Sequence, residues 1–422
     1  MTALAEIASA PDRAAPIRLL TFSSLYPNRE QPGFGVFVEN RLRQLCATGE
    51  VQATVVAPVP WFPLASPRFG RYGALARVPA REFRHGIEVL HPRFPALPKV
   101  GTALSPGLMA AALLPFLRGL IRQGRHFDLI DAHYFYPDGV AAVLLGRALG
   151  LPVTVTARGT DINHFPTLAL PRRLIRRAAE RADGLIAVAG PLRDRLRDLA
   201  PAAPDPLVLR NGVDLRQFSP SDRAAARRAL GLSGPLLLSA GNLVAGKGHD
   251  RVIRALTDLP GVTLAIAGKG PEEDRLRRLA AELGLAERVR LLGALPHAAM
   301  PGAYNAADAL VLASASEGCA NVLLEAMACG TPVIASDVGG ASELVITPAA
   351  GSLLPDRTPA AIAAAARALL AAPPPRAATR AHAERFGWEA TTAGQLALFR
   401  RILAGRVPDR AEAGQKNSSS RQ

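Results

Sequence analysis

Two glutamates, Glu317 and Glu325, stand eight positions apart around a predicted helix start. The chain runs from a strand end through a turn at Glu317 and Gly318 into a helix predicted from Asn321 to Cys329. The second carboxylate then lies about 12 Å along the helix axis. The free N–H groups and positive dipole end of a helix start attract a phosphate or diphosphate. A nucleoside diphosphate sugar has the matching layout, with hydroxyls on both sides of two phosphates.

The flanking residues predict a βαβ unit that positions these groups. Apolar residues between positions 323 and 328 repeat at helical spacing, with Asn321 as the candidate N-cap and Gly330 just past the end. The apolar run Pro332 to Ser336 predicts the next strand. Two glutamates at this spacing are also typical of a solvated surface, and spacing alone leaves that alternative open.

A lysine and two turns in the same half extend the candidate site. Asn242 follows a strand, and Lys247 stands just before a helix. An ammonium group there can reach a diphosphate and neutralise the charge of a leaving group. Gly268 lies in the tight turn that closes the next strand. The alternative for Lys247 is a solvated lysine at a helix start.

The first half places further polar residues at predicted strand ends, where parallel α/β sheets bind ligands. Gly33 and Gly35 lie in the loop between the first strand and the first helix, and His133 ends a later strand. Asp161 is a candidate to cap the following helix and to help bind the sugar or acceptor, two roles that do not exclude each other. A plain turn and a structural histidine are the alternatives.

The pattern of the second half is Glu317-Gly318, Asn321, Leu324 to Ala328, Gly330 to Ala335, Gly339-Gly340 and Glu343. It resembles the donor-binding signature of retaining GT-B glycosyltransferases of family 4, whose hallmark is two glutamates with seven residues between them. The stretches Tyr26 to Phe37, His133 to Gly139 and Arg158 to Asp161 resemble the teichuronic-acid and exopolysaccharide branch of that family. The resemblance covers nearly all of residues 17 to 404.

This resemblance implies roles for the donor half. Lys247 would hold the diphosphate, Glu325 the ribose hydroxyls, and Glu317 the transferred sugar. The groups that would assist Glu317 are the backbone amides of Gly318, Asn321 and Val322. Because Asp-x-Asp is absent from the sequence, we expect no catalytic metal and no cofactor besides the donor substrate.

The resemblance also implies roles outside that helix, and it has two departures. His133 resembles the histidine beside the transferred sugar, the loop with Gly33 and Gly35 would lie over the cleft, and Gly268 would border the base or phosphates. Asn242 is predicted to bind substrate, but it stands where the family usually has arginine. The predicted diphosphate site therefore has one cation fewer than is usual in the family. Cys319-Ala320 replaces a large apolar residue and proline, which can change the geometry of the helix start.

Alternating strand and helix patterns predict an α/β protein of GT-B architecture, with two Rossmann-like doubly wound domains facing across a cleft. The aromatic and basic segment Pro58 to Arg84 has little periodicity; it is either an acceptor or membrane-contact loop or an irregular surface excursion. The predicted divisions are a disordered N-terminus (1–16), an acceptor-side domain (17–210), a donor-binding domain (211–388), a helix crossing back to the first domain (389–405) and a disordered tail (406–422).

Composition and cysteine content indicate the class of protein and its cellular location. The chain is 49% hydrophobic and 20% charged, which is typical of a packed globular protein, and it has a net charge of +15. Three cysteines without paired metal spacing give no disulfide or zinc framework, so a reducing, cytoplasmic location is expected. Residues 1–16 are a poor signal peptide, and the apolar run near Ala103 to Leu117 is broken by prolines.

Arginines on a predicted helix over residues 171–182 make the first domain a candidate for peripheral binding to the inner, anionic face of the cell membrane. A solvated helix face is the alternative. The arginines are Arg172, Arg173, Arg176, Arg177 and Arg181.

We therefore predict a retaining transferase that moves a hexosyl group from a nucleoside diphosphate sugar to a saccharide acceptor, lipid-linked, in cell-surface polysaccharide biosynthesis. The nearest alternative is a sugar-nucleotide epimerase or hydrolase on the same scaffold. A nucleic-acid-binding protein is the alternative from another class. We expect no nucleic-acid partner, because that function leaves Glu317 and Glu325 unexplained.

Overall fold

The computed structural model describes residues 15–66, 68, 70–95 and 104–405. Of the two segments predicted to be disordered, residues 1–14 and 406–422 lie outside the described residues. The described chain forms two Rossmann-like α/β domains, each built on a mainly parallel sheet. The predicted fold class is confirmed.

The first sheet has an interior of strands whose residues are buried on both faces, as parallel sheets covered by helices require. The strands of the first domain are β1 (Ile17–Phe22), β2 (Val51–Val56), β3 (Val59–Pro60), β4 (Arg81–Arg84), β5 (Ile87–Leu90), β6 (Arg93–Phe94), β7 (Leu129–His133), β8 (Val153–Ala157), β9 (Gly184–Ala187) and β10 (Leu207–Val208). Their order in the sheet is β10-β9-β8-β7-β1-β2-β5-β4, with β4 antiparallel, while β3 pairs with β6.

Helices cover both faces of this sheet. Met109, Leu113 and Ile175 belong to the core on one face, and Val38 and Leu42 to the core on the other. The helices of the first domain are α1 (Val36–Ala47), α2 (Gly70–Arg77), α3 (Ser105–Arg122), α4 (Val140–Leu149), α5 (Thr160–Asn163), α6 (Ala169–Ala179) and α7 (Gly190–Leu199).

The second sheet is parallel throughout and runs in the order β13-β12-β11-β14-β15-β16. Its strands are β11 (Leu236–Ala240), β12 (Thr263–Ala267), β13 (Val289–Gly293), β14 (Ala309–Leu312), β15 (Val333–Ser336) and β16 (Gly351–Leu354). The helices that follow the first sheet are α8 (Arg223–Ala229), α9 (His249–Ala255), α10 (Glu273–Glu282), α11 (Met300–Ala306), α12 (Asn321–Ala328), α13 (Ala341–Leu344), α14 (Pro359–Ala371), α15 (Arg376–Ala383) and α16 (Glu389–Ala404).

Helix α16 packs on the first domain. Leu396 and Phe399 join the core formed with Leu19 and Val38, and Gln395 is fully buried against the first sheet. The first sheet ends at β10 and the second begins at β11, so the predicted boundary between residues 210 and 211 falls in the intervening segment. The boundary itself stays a prediction.

Several elements were not anticipated. The segment Pro58 to Arg84, predicted to have little regular structure, contains β3, α2 and β4. Strand β16 and helices α14 and α15 were also missed. Helix α14 is built almost entirely from alanine and leucine, so it shows little contrast between a polar and an apolar face.

The two domains touch backbone to backbone at Gly159 and Gly318. A Cβ atom on Gly318 would lie 1.7 Å from the Arg158 carbonyl oxygen, and one on Gly159 would lie 3.0 Å from the Gly318 Cα. The neighbouring Cys319 packs against the hydrophobic core of the first domain. Only glycine permits this approach, so the Glu-Gly step of the sequence pattern is also an interdomain contact.

We expect Gly318→Ala to force the domains apart, because the added methyl group overlaps a backbone carbonyl. The cost should be about 1–3 kcal/mol, as for other overpacked contacts. Calorimetry should give a lower unfolding temperature, and small-angle X-ray scattering a larger radius of gyration. Gly107→Ala is the control, since a Cβ there meets nothing within 4 Å. An unchanged radius and unfolding temperature in Gly318→Ala would contradict the contact.

Candidate active site

Lys247 and Glu317 form an ion pair at the carboxyl edge of the second sheet, with Nζ and Oε1 2.6 Å apart. Gly248 adopts φ 71° and lies so close to the Ala313 carbonyl that a Cβ would be 2.2 Å from it. This contact holds the lysine beside the end of β14. On the other side Gly339, at φ 58°, packs against the Glu317 carbonyl. Both partners of the pair are therefore fixed by close backbone contacts.

Glu325 lies on the partly exposed face of α12 and is held by two side chains. Its Oε1 is 3.1 Å from His297 Nε2, and its Oε2 accepts a 2.6 Å hydrogen bond from the Tyr304 hydroxyl. His297 in turn meets the side chain of Gln217 at 3.1 Å and the ring of Phe218 edge to face. Burial opposes protonation of His297, but the hydrogen bond and charge of Glu325 outweigh it and raise the pKa of the imidazole. Neither glutamate is a freely solvated surface residue.

The amino end of α12 differs from the prediction in its cap. Asn321 is the first helical residue, and the capping position belongs to Ala320, which makes no side-chain cap. The Asn321 side chain instead accepts a 3.1 Å hydrogen bond from Asn211 Nδ2. The predicted capping role of Asn321 is therefore wrong, because a residue at the domain junction competes for its oxygen. Val322 is partly exposed in the same first turn.

Three loops meet above the carboxyl ends of β11, β12 and β13. The Gly268 N–H donates to the Gly293 carbonyl at 2.8 Å, and a Cβ on Gly268 would be 1.9 Å from the Gly241 carbonyl. Gly268 is thus required for loop packing. Asn242 is exposed, and its carbonyl lies 3.3 Å from His249 Nε2. Ligand contacts of Gly268 and Asn242 stay predictions.

His133 is fully buried at the end of β7. Its Nδ1 accepts a 2.6 Å hydrogen bond from Arg158 Nη2, and its Nε2 lies 3.1 Å from Asp131 Oδ2. Burial lowers the pKa of His133 to about 4, so the ring is neutral at physiological pH. The predicted contact with a donor sugar stays a prediction, while in the described structure both ring nitrogens face protein groups.

Asp161 is also fully buried, and it does not cap α5. Its carboxylate accepts hydrogen bonds from the backbone N–H groups of Phe135, Arg158 and Gly159, at 2.6 to 3.0 Å. Burial raises the pKa of this carboxyl despite those three donors. The capping interpretation is wrong, because the N–H groups that Asp161 binds precede the helix. Its role is to fix the strand-end loops, and a sugar contact stays a prediction.

Gly33 and Gly35 have different surroundings. A Cβ on Gly33 would meet nothing within 4 Å, whereas Gly35 adopts φ 74° with the Leu25 carbonyl 2.4 Å from the Cβ position. Gly35 is needed for the entry into α1, while Gly33 lies exposed in the loop and is free to approach a ligand. Neither makes a contact that tests the predicted substrate role.

The sequence pattern included Arg158 in a named stretch without assigning its side chain a role, and it did not single out His297. Asp138 was likewise passed over. Its carboxylate is fully buried and accepts hydrogen bonds from the backbone N–H and hydroxyl of Ser24 at 2.7 and 2.9 Å. Burial raises the pKa of Asp138 to about 7. The only available signal was position, since each residue follows or closes a strand on the cleft side.

Two family models match the chain in tandem. The model of Glycosyltransferase Family 4 covers residues 33–217, and that of Glycosyl transferases group 1 covers residues 222–386. A D-inositol 3-phosphate glycosyltransferase of Catenulispora acidiphila is 31% identical over 94% of this chain and 97% of its own length. The chain belongs to glycosyltransferase family 4. It is therefore a transferase enzyme.

The predicted similarity to a teichuronic-acid glycosyltransferase is confirmed as well. The Bacillus subtilis protein TuaC, named for teichuronic acid biosynthesis, is 30% identical over 78% of this chain and 83% of its own length. Solved structures with the same fold superpose over nearly the whole chain. A sucrose-phosphate synthase from Thermosynechococcus elongatus has a TM-score of 0.75 at 22% identity, covering 92% of this chain and all of its own.

Anabaena HepE, solved in complex with UDP-glucose, has a TM-score of 0.68 at 22% identity, covering 90% of this chain and 98% of its own. These likenesses confirm the GT-B fold. Across the described part of the chain, no helix combines the length and apolarity needed to cross a bilayer. Over the same residues, no cluster of three or more His, Cys, Asp or Glu side chains is placed to bind a metal ion. The expectation of metal-free chemistry stays a prediction.

We expect His297 to make stability pH-dependent. Its folded-state pKa is raised, so its contribution is complete below the ordinary imidazole pKa, about 6.5, and is lost as pH rises through the folded-state value. His297→Gln keeps a donor for Glu325 but no charge. Its deficit in unfolding temperature should be a few degrees at pH 5.5, for a contribution of about 1 kcal/mol, and should vanish near pH 9.

The control for this measurement is His126→Gln, at an exposed position far along the first domain. The groups facing His297 are Glu325, Gln217, the ring of Phe218 and, through charge alone, Asp214 and Glu39. A deficit that is equal at both pH values would show that His297 is neutral in the folded protein.

Proposed function

We propose that the protein is a retaining hexosyltransferase that uses a nucleoside diphosphate sugar as donor. The observation that carries the proposal is the placement of the Lys247–Glu317 pair and of Glu325 on either side of the amino end of α12. A cation and free helix N–H groups suit two phosphates, and carboxylates on both sides suit the ribose and the sugar.

The ion pair gives donor binding a specific course. A diphosphate would replace Glu317 as the partner of Lys247, because two phosphates carry more negative charge than one carboxylate. Glu317 would then be free to accept hydrogen bonds from sugar hydroxyls. Glu325, held by His297 and Tyr304, keeps lone pairs for the two ribose hydroxyls.

In the proposed reaction the bond between the sugar C1 and the diphosphate oxygen breaks, and its electron pair goes to the diphosphate. The acceptor hydroxyl oxygen bonds to C1 on the same face, and its proton passes to the departing phosphate oxygen. Lys247 and the amide groups at the start of α12 stabilise the charge that develops on the diphosphate. Retention of configuration rests on the family pattern of the two glutamates.

We propose a saccharide acceptor, lipid-linked, in cell-surface polysaccharide biosynthesis. The relative named for teichuronic acid biosynthesis supports this acceptor class. Helix α6 supports a membrane-bound acceptor, since its arginines are exposed and two leucines at its start, Leu168 and Leu170, are each 44% exposed. A basic face beside exposed apolar residues binds anionic lipid surfaces. The protein would then be cytoplasmic and peripheral at the inner face of the membrane.

The inositol-phosphate relatives favour a second acceptor class, a phosphorylated polyol. The first turns of α6 follow the cleft-side loop of Asp161, and Arg172 and Arg173 there are exposed and make no ion pair within the described residues. Arginine binds phosphate with its paired N–H groups. The two acceptor classes differ in whether the arginines serve a lipid surface or the acceptor itself.

Donor binding tests the central proposal. Calorimetric titration with UDP-, GDP- and ADP-sugars should identify one accepted donor, and Glu325→Ala should weaken its binding at least tenfold, because a hydrogen bond to a charged group contributes about 1.5–3 kcal/mol. Glu317→Gln should retain binding of the free nucleoside diphosphate while transfer falls.

Glu282→Ala is the matched control, an exposed glutamate on α10 of the same domain. Its affinity for the donor should equal that of the wild type. Unchanged affinity in Glu325→Ala would refute the ribose role. Release of free or epimerised sugar without any glycosylated acceptor would favour the hydrolase or epimerase alternative.

The α6 arginines distinguish the two acceptor classes. Reversing Arg172, Arg173 and Arg176 to glutamate should lower binding to vesicles with anionic phospholipid about a hundredfold at low salt, since each arginine contributes about 1 kcal/mol. Co-sedimentation measures this loss, and reversal of Arg277 and Arg278 on α10 is the control. Unchanged vesicle binding together with a raised KM for an inositol phosphate would favour the phosphorylated polyol.

A further inference from the structure

A chain of buried and partly buried side chains links the crossing helix α16 to the amino end of α12. It begins at Gln395 on α16 and passes through the ends of β7 and β8 and the domain junction. The successive distances are Gln395 Nε2 to Asp131 Oδ2 2.9 Å, Asp131 Oδ2 to His133 Nε2 3.1 Å, His133 Nδ1 to Arg158 Nη2 2.6 Å, Arg158 Nη1 to Asn211 Oδ1 2.9 Å, and Asn211 Nδ2 to Asn321 Oδ1 3.1 Å.

Arg158 stands at the centre of this chain and carries its positive charge. The residue is 8% exposed, its guanidinium lies 5.2 Å from the centre of the Phe37 ring, and its backbone carbonyl touches Gly318. Burial lowers the pKa of Arg158 to about 9, which still leaves it charged at neutral pH. A buried cation is retained at a cost and is unlike a solvated surface arginine.

The contacts of Arg158 fix the states of its neighbours. Because a guanidinium only donates, His133 Nδ1 must be the acceptor, and the ring proton sits on Nε2, which lies 3.1 Å from Asp131 Oδ2 without a well-directed hydrogen bond to it. By the same argument Asn211 presents its oxygen to Arg158 and its amide nitrogen to Asn321. Arg158 of the first domain therefore sets the orientation of the Asn321 side chain in the first turn of α12, through Asn211 at the domain junction.

We propose that Arg158 is a positioning residue, which acts through Asn211 on the amino end of α12 and makes donor binding depend on the closed arrangement of the two domains. This inference rests on the proposed function, in which that helix end holds the donor diphosphate. The planar fork of arginine is essential, because it donates to His133 and Asn211 at once. Lysine lacks this fork, because its three N–H groups share a single nitrogen.

A double-mutant cycle between Arg158 and Asn211 tests the inference. Arg158→Met and Asn211→Ala should each raise the KM for the donor about tenfold, as expected for loss of about 1.4 kcal/mol of binding, and the double variant should be no worse than the poorer single variant. Non-additivity is expected only where both residues act through one path. Arg158→Lys should behave like Arg158→Met.

Arg93→Met is the matched control, because Arg93 lies in the same domain and its hydrogen bonds within the described residues go to the backbone carbonyls of Leu75 and Val78. It should lower the unfolding temperature without changing the KM for the donor. Should Arg158→Met not fold, the cycle is run with Arg158→Lys in its place.

Three results would overturn the inference. Additive losses in the cycle would show that Arg158 contacts the donor itself, and losses in kcat alone would show that it acts after donor binding. A lower unfolding temperature with unchanged KM would show a purely structural role. In each of these cases the wild type still binds and uses a nucleotide sugar, whereas a wild type that binds none would refute the proposed function and this inference with it.

Discussion

The contact between Gly159 and Gly318 is the constraint on which the site depends. Two backbones from different domains meet there without side chains between them, at the turn that delivers Glu317. Parallel sheets place their loops at one edge, and here the edges of two sheets face each other across that contact. The proposed link from Arg158 through Asn211 to α12 requires that the first domain lie this close to the start of that helix.

Polar groups of the two domains also pair with each other around this contact. Glu343 of the second domain accepts a hydrogen bond from the Gly190 N–H at 2.9 Å and pairs with Arg210 at 2.8 Å. Asn163 of the first domain donates to Ser316 and to the Glu317 carbonyl. These partners satisfy groups that closure removes from water, and each unmet group would cost about 1–3 kcal/mol. They also make the closed arrangement specific.

Much of this architecture was legible in the sequence, because it follows from local periodicity. The start of α12 at Asn321 and the ends of β15 at Ser336 and of β7 at His133 were predicted as observed, since short apolar runs and helical spacing define them. Glu317 and Glu325 were identified as a pair from their spacing around one helix. The pairing of Lys247 with Glu317, seventy positions apart, lies beyond what spacing can give.

What the sequence did not reveal depends on contacts between distant residues. Asn321 has the type of a capping residue, but its oxygen is taken by Asn211, 110 positions away. His133 closes a strand as expected, yet Arg158 and Asp131 enclose it. Sequence patterns report the local conformational propensity of each residue. The hydrogen-bond partner of a polar side chain depends instead on which distant residues the fold places beside it.

The Lys247–Glu317 pair has a consequence for the end of the catalytic cycle. With the proposed nucleoside diphosphate sugar as donor, the product nucleotide would keep both phosphates and would, without Glu317, bind Lys247 as tightly as the donor does. The Glu317 carboxylate, 2.6 Å from Lys247, is an intramolecular competitor for that lysine. Glu317 would thus speed release of the product nucleotide, at the cost of a lower affinity for the donor.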